Sequence, residues 1–389
     1  MDHEIRSEKQ QESLHNLTGA LHASGKTAVF DSSALGRFRL WHRRQALEAV
    51  TMYVDRGQDF LQLLQATILI TASDQLNAWW ADVWQMAGSC IRLAVPMRIY
   101  QSSAIPPSSF TASGDGACPD AKDPLEQAEM DRTWWMAYLM EWTASMWTTW
   151  PLAMAEDEIS CELPVLQSTY DKGYGDLLGV QSIHAKDLYI NHPPRHLDSF
   201  PLFIKAVKLF ADVQRFFRSY QRQKHSIDRY INEPGLHLLL SQVNLFRLSI
   251  PVHMRRPTEH QAAGGQLDRD LLAAIMLAHG TSVALGEPLA TKDTWQHDLA
   301  RMGLGAIRTI LSLLYDSELH AGLVPIQMLK YTVTATSYDI TLLPASISYV
   351  FLGAAKGLLR FVHAANQVGD EISASVFGSE LGVFQCVLL

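Results

Sequence analysis

Residues 80–95 read WADVWQMAGSCIRLAV, and the apolar positions Trp80, Val83, Trp84, Ala87, Ile91 and Ala94 recur at steps of three or four. That spacing places them on one face of an α-helix, and a face so apolar has to be buried. The same pattern continues outward along the chain. Phe203, Val207, Phe210, Val213, Phe217 and Tyr220 form a second stripe, and Leu271, Ile275, Ala278, Leu299, Ala306, Ile310 and Leu314 supply later ones. Repeated stripes predict many mutually packed helices. The most strand-like run, TVTATSYDITLL at Thr332–Leu343, stands alone with no hairpin partner beside it and reads as a helix or connector. No Gly-rich phosphate loop and no alternation of strand and helix occurs. The predicted fold is all-α, a large multi-helix single body.

The 389 residues permit a sizeable core, since 48% are hydrophobic and only 19% charged. Residues 1–57 are expected to form a polar segment and a first helix, and 58–389 the helical body. Periodicity breaks at Gln101–Pro124, Leu163–Pro201 and Pro251–Gly265, which read as long loops: mobile connectors, or lids and binding loops. The net charge is −8, and the densest basic groups are only His42-Arg43-Arg44 and Arg255-Arg256. Direct nucleic-acid binding wants a concentrated cationic face and is not expected. The opening residues MDHEIRSEKQQESLHN do not read as a signal peptide. The most apolar segment, Leu61–Ala72, is short and contains Gln and Thr, so no membrane span is expected and the protein reads as intracellular and soluble. Cys90, Cys118, Cys161 and Cys386 are too scattered for a zinc or disulfide framework, and His192 and His196 read as surface or turn histidines around Pro193-Pro194. No metal and no cofactor are expected.

Eight of the ten tryptophans fall at 79, 80, 84, 134, 135, 142, 147 and 150. On a helix Trp135, Tyr138 and Trp142 share a face towards which Trp134 leans. Two readings stand for Trp84, Trp134, Trp135, Tyr138, Trp142 and Trp150. They form a heavy aromatic core, or they line a cavity in which a flat apolar molecule stacks with indole N–H groups near its polar atoms. Glu141 lies inside this run, where an unpaired carboxylate is costly to bury and tends to keep its proton. It is read either as half of a structural ion pair, with Arg92 as the candidate partner, or as a general acid. His253, Arg255 and Arg256 precede Pro257 at a helix end, from which they are expected either to reach a cavity mouth or to be solvated. Arg255 is the candidate ligand contact there and His253 the second candidate catalytic residue.

Several runs together resemble the regulatory middle region of fungal zinc-cluster transcription factors. They are QATILITA (65–72), WQMAGSCIRLA (84–94), EMDRTWW (129–135), YLMEW (138–142), Trp150-Pro151, Asp157-Glu158-Ile159, Leu163-Pro164, LFRLSIPVHMRRP (245–257) and LAHGTSVALGEPLA (277–290). The likeness covers roughly residues 58–330. Two family arginines are replaced by Trp142 and Trp150, and the six-cysteine zinc module is absent from these residues. The resemblance implies a transcription-regulator-like protein without its own DNA-binding module, which binds a hydrophobic small molecule or a protein partner and works in the nucleus. The alternative is a cytoplasmic, cofactor-free enzyme of secondary metabolism on the same fold. It would perform a pericyclic or dehydrating step on a bulky hydrophobic substrate, by orientation in an apolar pocket and polarisation by Glu141 or His253.

Overall fold

The computed structural model describes residues 32–57, 59–76, 79–102, 121–148, 150–173, 181–221, 226–257, 267–320 and 345–388. Among them the regular elements are helices, with one isolated antiparallel bridge, Glu162 to Ser182. The Thr332–Leu343 run lies outside the described residues, as do 103–120 and 258–266 of the long loops. The chain divides into two units, residues 1–55 and 56–389. Of the first unit the structure describes α1, Ser32–Arg56, an exposed helix whose Arg44 Nε lies 3.0 Å from Glu48 Oε1 one turn on.

In the second unit α2 (Phe60–Leu76), α3 (Trp80–Met97) and α4 (Pro124–Thr148) pack on one another. On α3 the predicted positions Val83, Ala87, Ile91 and Ala94 are buried, joined by Cys90, while Trp80 is only half-covered and Trp84 is 36% exposed. α4 is exposed at its first turn, where Leu125 is 38% exposed, and enters the core further on, with Trp134 and Trp135 wholly enclosed. After the short α5 (Gln167–Lys172) comes α6 (Ser199–Gln221), which packs against α4. Then follow α7 (Ile227–Ile231), α8 (Pro234–Ser249), α9 (Arg269–Gly286), α10 (Asp298–His320), α11 (Ala345–Gln367) and α12 (Glu371–Leu388).

α9 is the axis of this half and packs on α6, α8, α10 and α11. Asp268 begins it by accepting the Leu271 N–H at 3.0 Å, an N-cap that satisfies one otherwise orphaned donor. The helix is long and apolar enough to cross a membrane by composition, but 83% of that apolar window is buried inside the protein. Its hydrophobicity is therefore accounted for by four helical neighbours. Where α9 meets α10 the backbones touch: a Cβ on Gly286 would lie 2.7 Å from Leu299 O and 3.0 Å from Gly303 Cα.

The segment between α4 and α6 is not a mobile connector where it is described. Leu163 N donates to Gln181 O at 2.8 Å, a His196 ring nitrogen meets Pro164 O at 2.8 Å, and Arg132 on α4 donates to Val165 O and Gln167 Oε1. Arg132 also lies over the rings of Tyr170 and Phe200 at 4.7 and 5.8 Å. Polar anchors of this number replace the missing helical ladder. His196 is fully buried, and His192 is half-buried, so neither is a surface histidine. His192 Nδ1 accepts from Lys205 Nζ at 2.9 Å while its Nε2 meets Ser249 Oγ at 2.8 Å.

Candidate functional site

A cleft of about 720 Å³ opens between α6, α7, α9 and α11. It exists because the α6 stripe outlasts the core. Phe203, Val207, Phe210 and Val213 are buried, but Phe217 and Tyr220, two turns further, are only half-covered and face the opening. Opposite them α11 contributes Tyr349, Val350 and Gly353, and α7 contributes Tyr230. The rings set each other's orientation. Phe210 meets Tyr349 edge-on at 5.3 Å, Phe217 stacks on Tyr230 at 6.3 Å, and Tyr220 stands edge-on to Tyr230 at 5.4 Å. Two phenols are anchored, Tyr230 Oη donating to Leu285 O at 2.7 Å and Tyr349 Oη accepting from Gln214 Nε2 at 3.3 Å.

Charge enters this aromatic cleft from two sides. On α11, Lys356 and Arg360 are one turn apart and both reach Glu287 Oε1, at 3.2 and 3.1 Å. On α6, the half-buried Arg218 makes no hydrogen bond or ion pair to a described residue, yet it is close enough to act electrostatically on the Tyr349 phenol. That phenol is pushed up from its ordinary value, chiefly by burial and by Glu287, against the opposing pull of Arg218. The residues that line the cleft thus include three cations and one carboxylate, and the carboxylate is taken by Lys356 and Arg360. Mostly apolar walls with a few convergent polar groups are the usual make-up of a small-molecule site.

The tryptophan-rich residues do not form such a space. Trp134, Trp135, Tyr138 and Trp142 are buried on α4 and pack in sequence, Trp135 against Tyr138 at 5.2 Å and Tyr138 against Trp142 at 6.1 Å. Trp135 Nε1 donates to Glu162 O at 2.8 Å. The gap they leave beside Glu141 and Glu156 is about 10 Å³, room for one water at most, so they serve as core and not as a stacking platform. Trp84 and Trp150 lie elsewhere, edge-on to each other at 4.9 Å and partly exposed, with Trp84 Nε1 donating to Pro151 O. Of Trp147 the side chain lies outside the described residues.

Glu141 is 6% exposed, and its Oε1 accepts the backbone N–H of Ala153. Burial raises its carboxyl to about 7, opposed by that hydrogen bond and by the charge of Arg92. Arg92 therefore acts on it from a distance and not as a paired contact. With no substrate-sized space in front of it, Glu141 lacks the access a general acid needs. His253 is exposed on the turn after α8. Arg255 folds back on its own chain, Nε to Ile250 O at 2.7 Å and Nη2 to Leu248 O at 2.5 Å, so it caps the C-terminus of α8. Neither residue lines the large cleft.

The residues that do line it were hidden in the sequence for a physical reason. Phe217 and Tyr220 continue an apolar stripe, and only the packing decides where that stripe leaves the core. Arg218, interrupting it, was the available signal. Lys356 and Arg360 are a like-charged i, i+4 pair, and only the placing of α11 beside Glu287 gives them a role at the cleft.

Comparison with known proteins agrees with the helical pattern. The fungal specific transcription factor domain matches residues 17–243, more than half of the chain. The citrinin biosynthesis transcriptional activator of Monascus ruber is 30% identical over 112 residues, 28% of this chain and 20% of that protein. The ascochitine biosynthesis cluster transcriptional regulator of Didymella fabae is 24% identical over 200 residues, 50% and 32% of the two chains. The tropolone cluster transcription factor of Talaromyces stipitatus is 27% identical over 120 residues, 31% and 20%. The matched regions span only a fifth to a third of the length of these relatives. No solved structure matches the chain. On the domain match, and on a sequence and fold that agree with it, the chain belongs to the fungal specific transcription factor domain family.

Proposed function

We propose that this chain is the regulatory body of a nuclear regulator that controls transcription of a biosynthetic gene cluster, and that a small molecule or protein partner acts on it at the α6/α9/α11 cleft. The observation that carries the reading is the domain match over residues 17–243, together with relatives that are each named as regulators of a biosynthesis or its gene cluster. The net charge of −8 and the scattered basic residues favour action of this portion through protein contacts over docking on DNA.

The test is a deletion strain in which transcripts of the genes around the locus and the metabolites of the strain are measured together. Loss of those transcripts along with the product is the expected result. Unchanged transcripts with one accumulating intermediate would overturn the regulator reading in favour of a cofactor-free enzyme.

A further inference from the structure

We infer that the α6/α9/α11 cleft takes a flat, aromatic organic acid, with its rings between Phe217, Tyr230 and Tyr349 and its anionic group at Arg218. The inference rests on the reading of the cleft as an effector site and names the class of effector.

Size and shape come first. About 720 Å³ suits a molecule of several fused or linked rings and is too small for a folded partner. The walls present ring faces and edges, and ring contacts with a ligand favour flat π-systems in offset or edge-on arrangement. The α11 wall is itself flat at Gly353, where an added Cβ would meet nothing within 4 Å.

Charge then decides the polar group. Lys356 and Arg360 both contact Glu287, so the α11 side is already partly neutralised. Arg218 on the facing helix has no such counter-charge among the described residues, although it sits half-buried beside the Tyr349 phenol. Its guanidinium lines the cleft, and a carboxylate or acidic phenolate offers the planar, bidentate acceptor that matches its fork. A cationic ligand would face a surplus of like charge, and a neutral one would leave Arg218 as it is.

The test uses the purified full chain with two matched probes, 2-anthracenecarboxylate and the neutral 2-anthracenecarboxamide, titrated by calorimetry at pH 7.5. The carboxylate is expected to bind about tenfold or more tightly than the amide, as a charge-assisted bond to an arginine implies. Arg218→Gln should bring the two probes within about twofold of each other without lowering the melting temperature. Gly353→Trp, which fills open space, should abolish binding of both while the chain remains folded. Equal binding of the two probes to the unaltered chain, a preference that survives Arg218→Gln, or no binding of either probe would each overturn the inference. None of these outcomes bears on transcript levels in the deletion strain, so failure of the ligand class and failure of the regulator reading are separable.

Discussion

Buried ionisable side chains are the residues whose behaviour the environment changes most. Glu141, held near 7 by burial, is protonated in the folded chain over a range where the unfolded chain has it ionised. A carboxyl raised in this way makes folding progressively less favourable as pH climbs from its ordinary value near 4.5 to about 7, and the whole penalty is present above that. Glu141→Gln keeps an acceptor for the Ala153 amide and removes the titration. Its melting temperature should exceed that of the unaltered chain at pH 8 and match it at pH 4.5. An equal difference at both pH values would mean that Glu141 stays ionised in the fold. Lys205 behaves in the opposite sense. Burial lowers its amine to about 7, so its neutral form donates to His192 Nδ1 and Asn191 O, and its contribution to stability rises with pH from about 7 towards 10.5. His192, lowered to about 4 by burial and by Lys205, likewise disfavours the fold in acid as pH falls from 6.5 towards 4.

At the scale of elements, the α9/α10 crossing depends on two glycines, and its neighbour gives the control. Gly286→Ala places a methyl 2.7 Å from Leu299 O, a backbone atom that cannot swing aside. The two helices have to separate, at a cost of about 1–3 kcal/mol, which a denaturant titration will read as a lower midpoint at unchanged slope. Gly305→Ala, on the exposed face of α10 with nothing within 4 Å of the new Cβ, should instead stabilise by about 0.5–1 kcal/mol. If Gly286→Ala proved as benign as Gly305→Ala, the close approach would not exist in solution. Nothing in the local sequence separates the two glycines. Only the crossing distinguishes them.

For the whole molecule, what matters is whether the cleft is coupled to the output of the protein. Gly353→Trp places an indole on the α11 wall of the cleft, at a position where no atom lies within 4 Å of the new Cβ. A strain carrying it should hold normal amounts of the protein yet lose transcripts of the neighbouring genes as the deletion does. Normal transcripts in that strain would separate the cleft from regulation, whatever it binds in vitro. α6 is the element that makes such coupling physically reasonable. It packs on α4 and α9, its Lys208 reaches Glu156 at 2.6 Å beside the buried aromatic residues, and its Phe210, Phe217 and Tyr220 line the cleft.

By itself the sequence determined the helical class, the buried positions Val83, Ala87, Ile91 and Ala94 of α3 and the first four positions of the α6 stripe. These follow from local periodicity, which a helix expresses wherever it packs. It also placed Glu141 within an aromatic run. The tertiary structure decided everything that depends on which faces meet. Trp134, Trp135, Tyr138 and Trp142 are enclosed by α3, α6 and the anchored segment after α4, so their rings contact one another and leave no ligand space. Arg255 turns back to cap α8. Phe217, Tyr230, Tyr349 and Arg218, separated by up to 132 residues in the chain, converge because α9 holds α6 and α11 on its two sides. A cavity is a property of distances between elements, and no single stretch of residues encodes those distances.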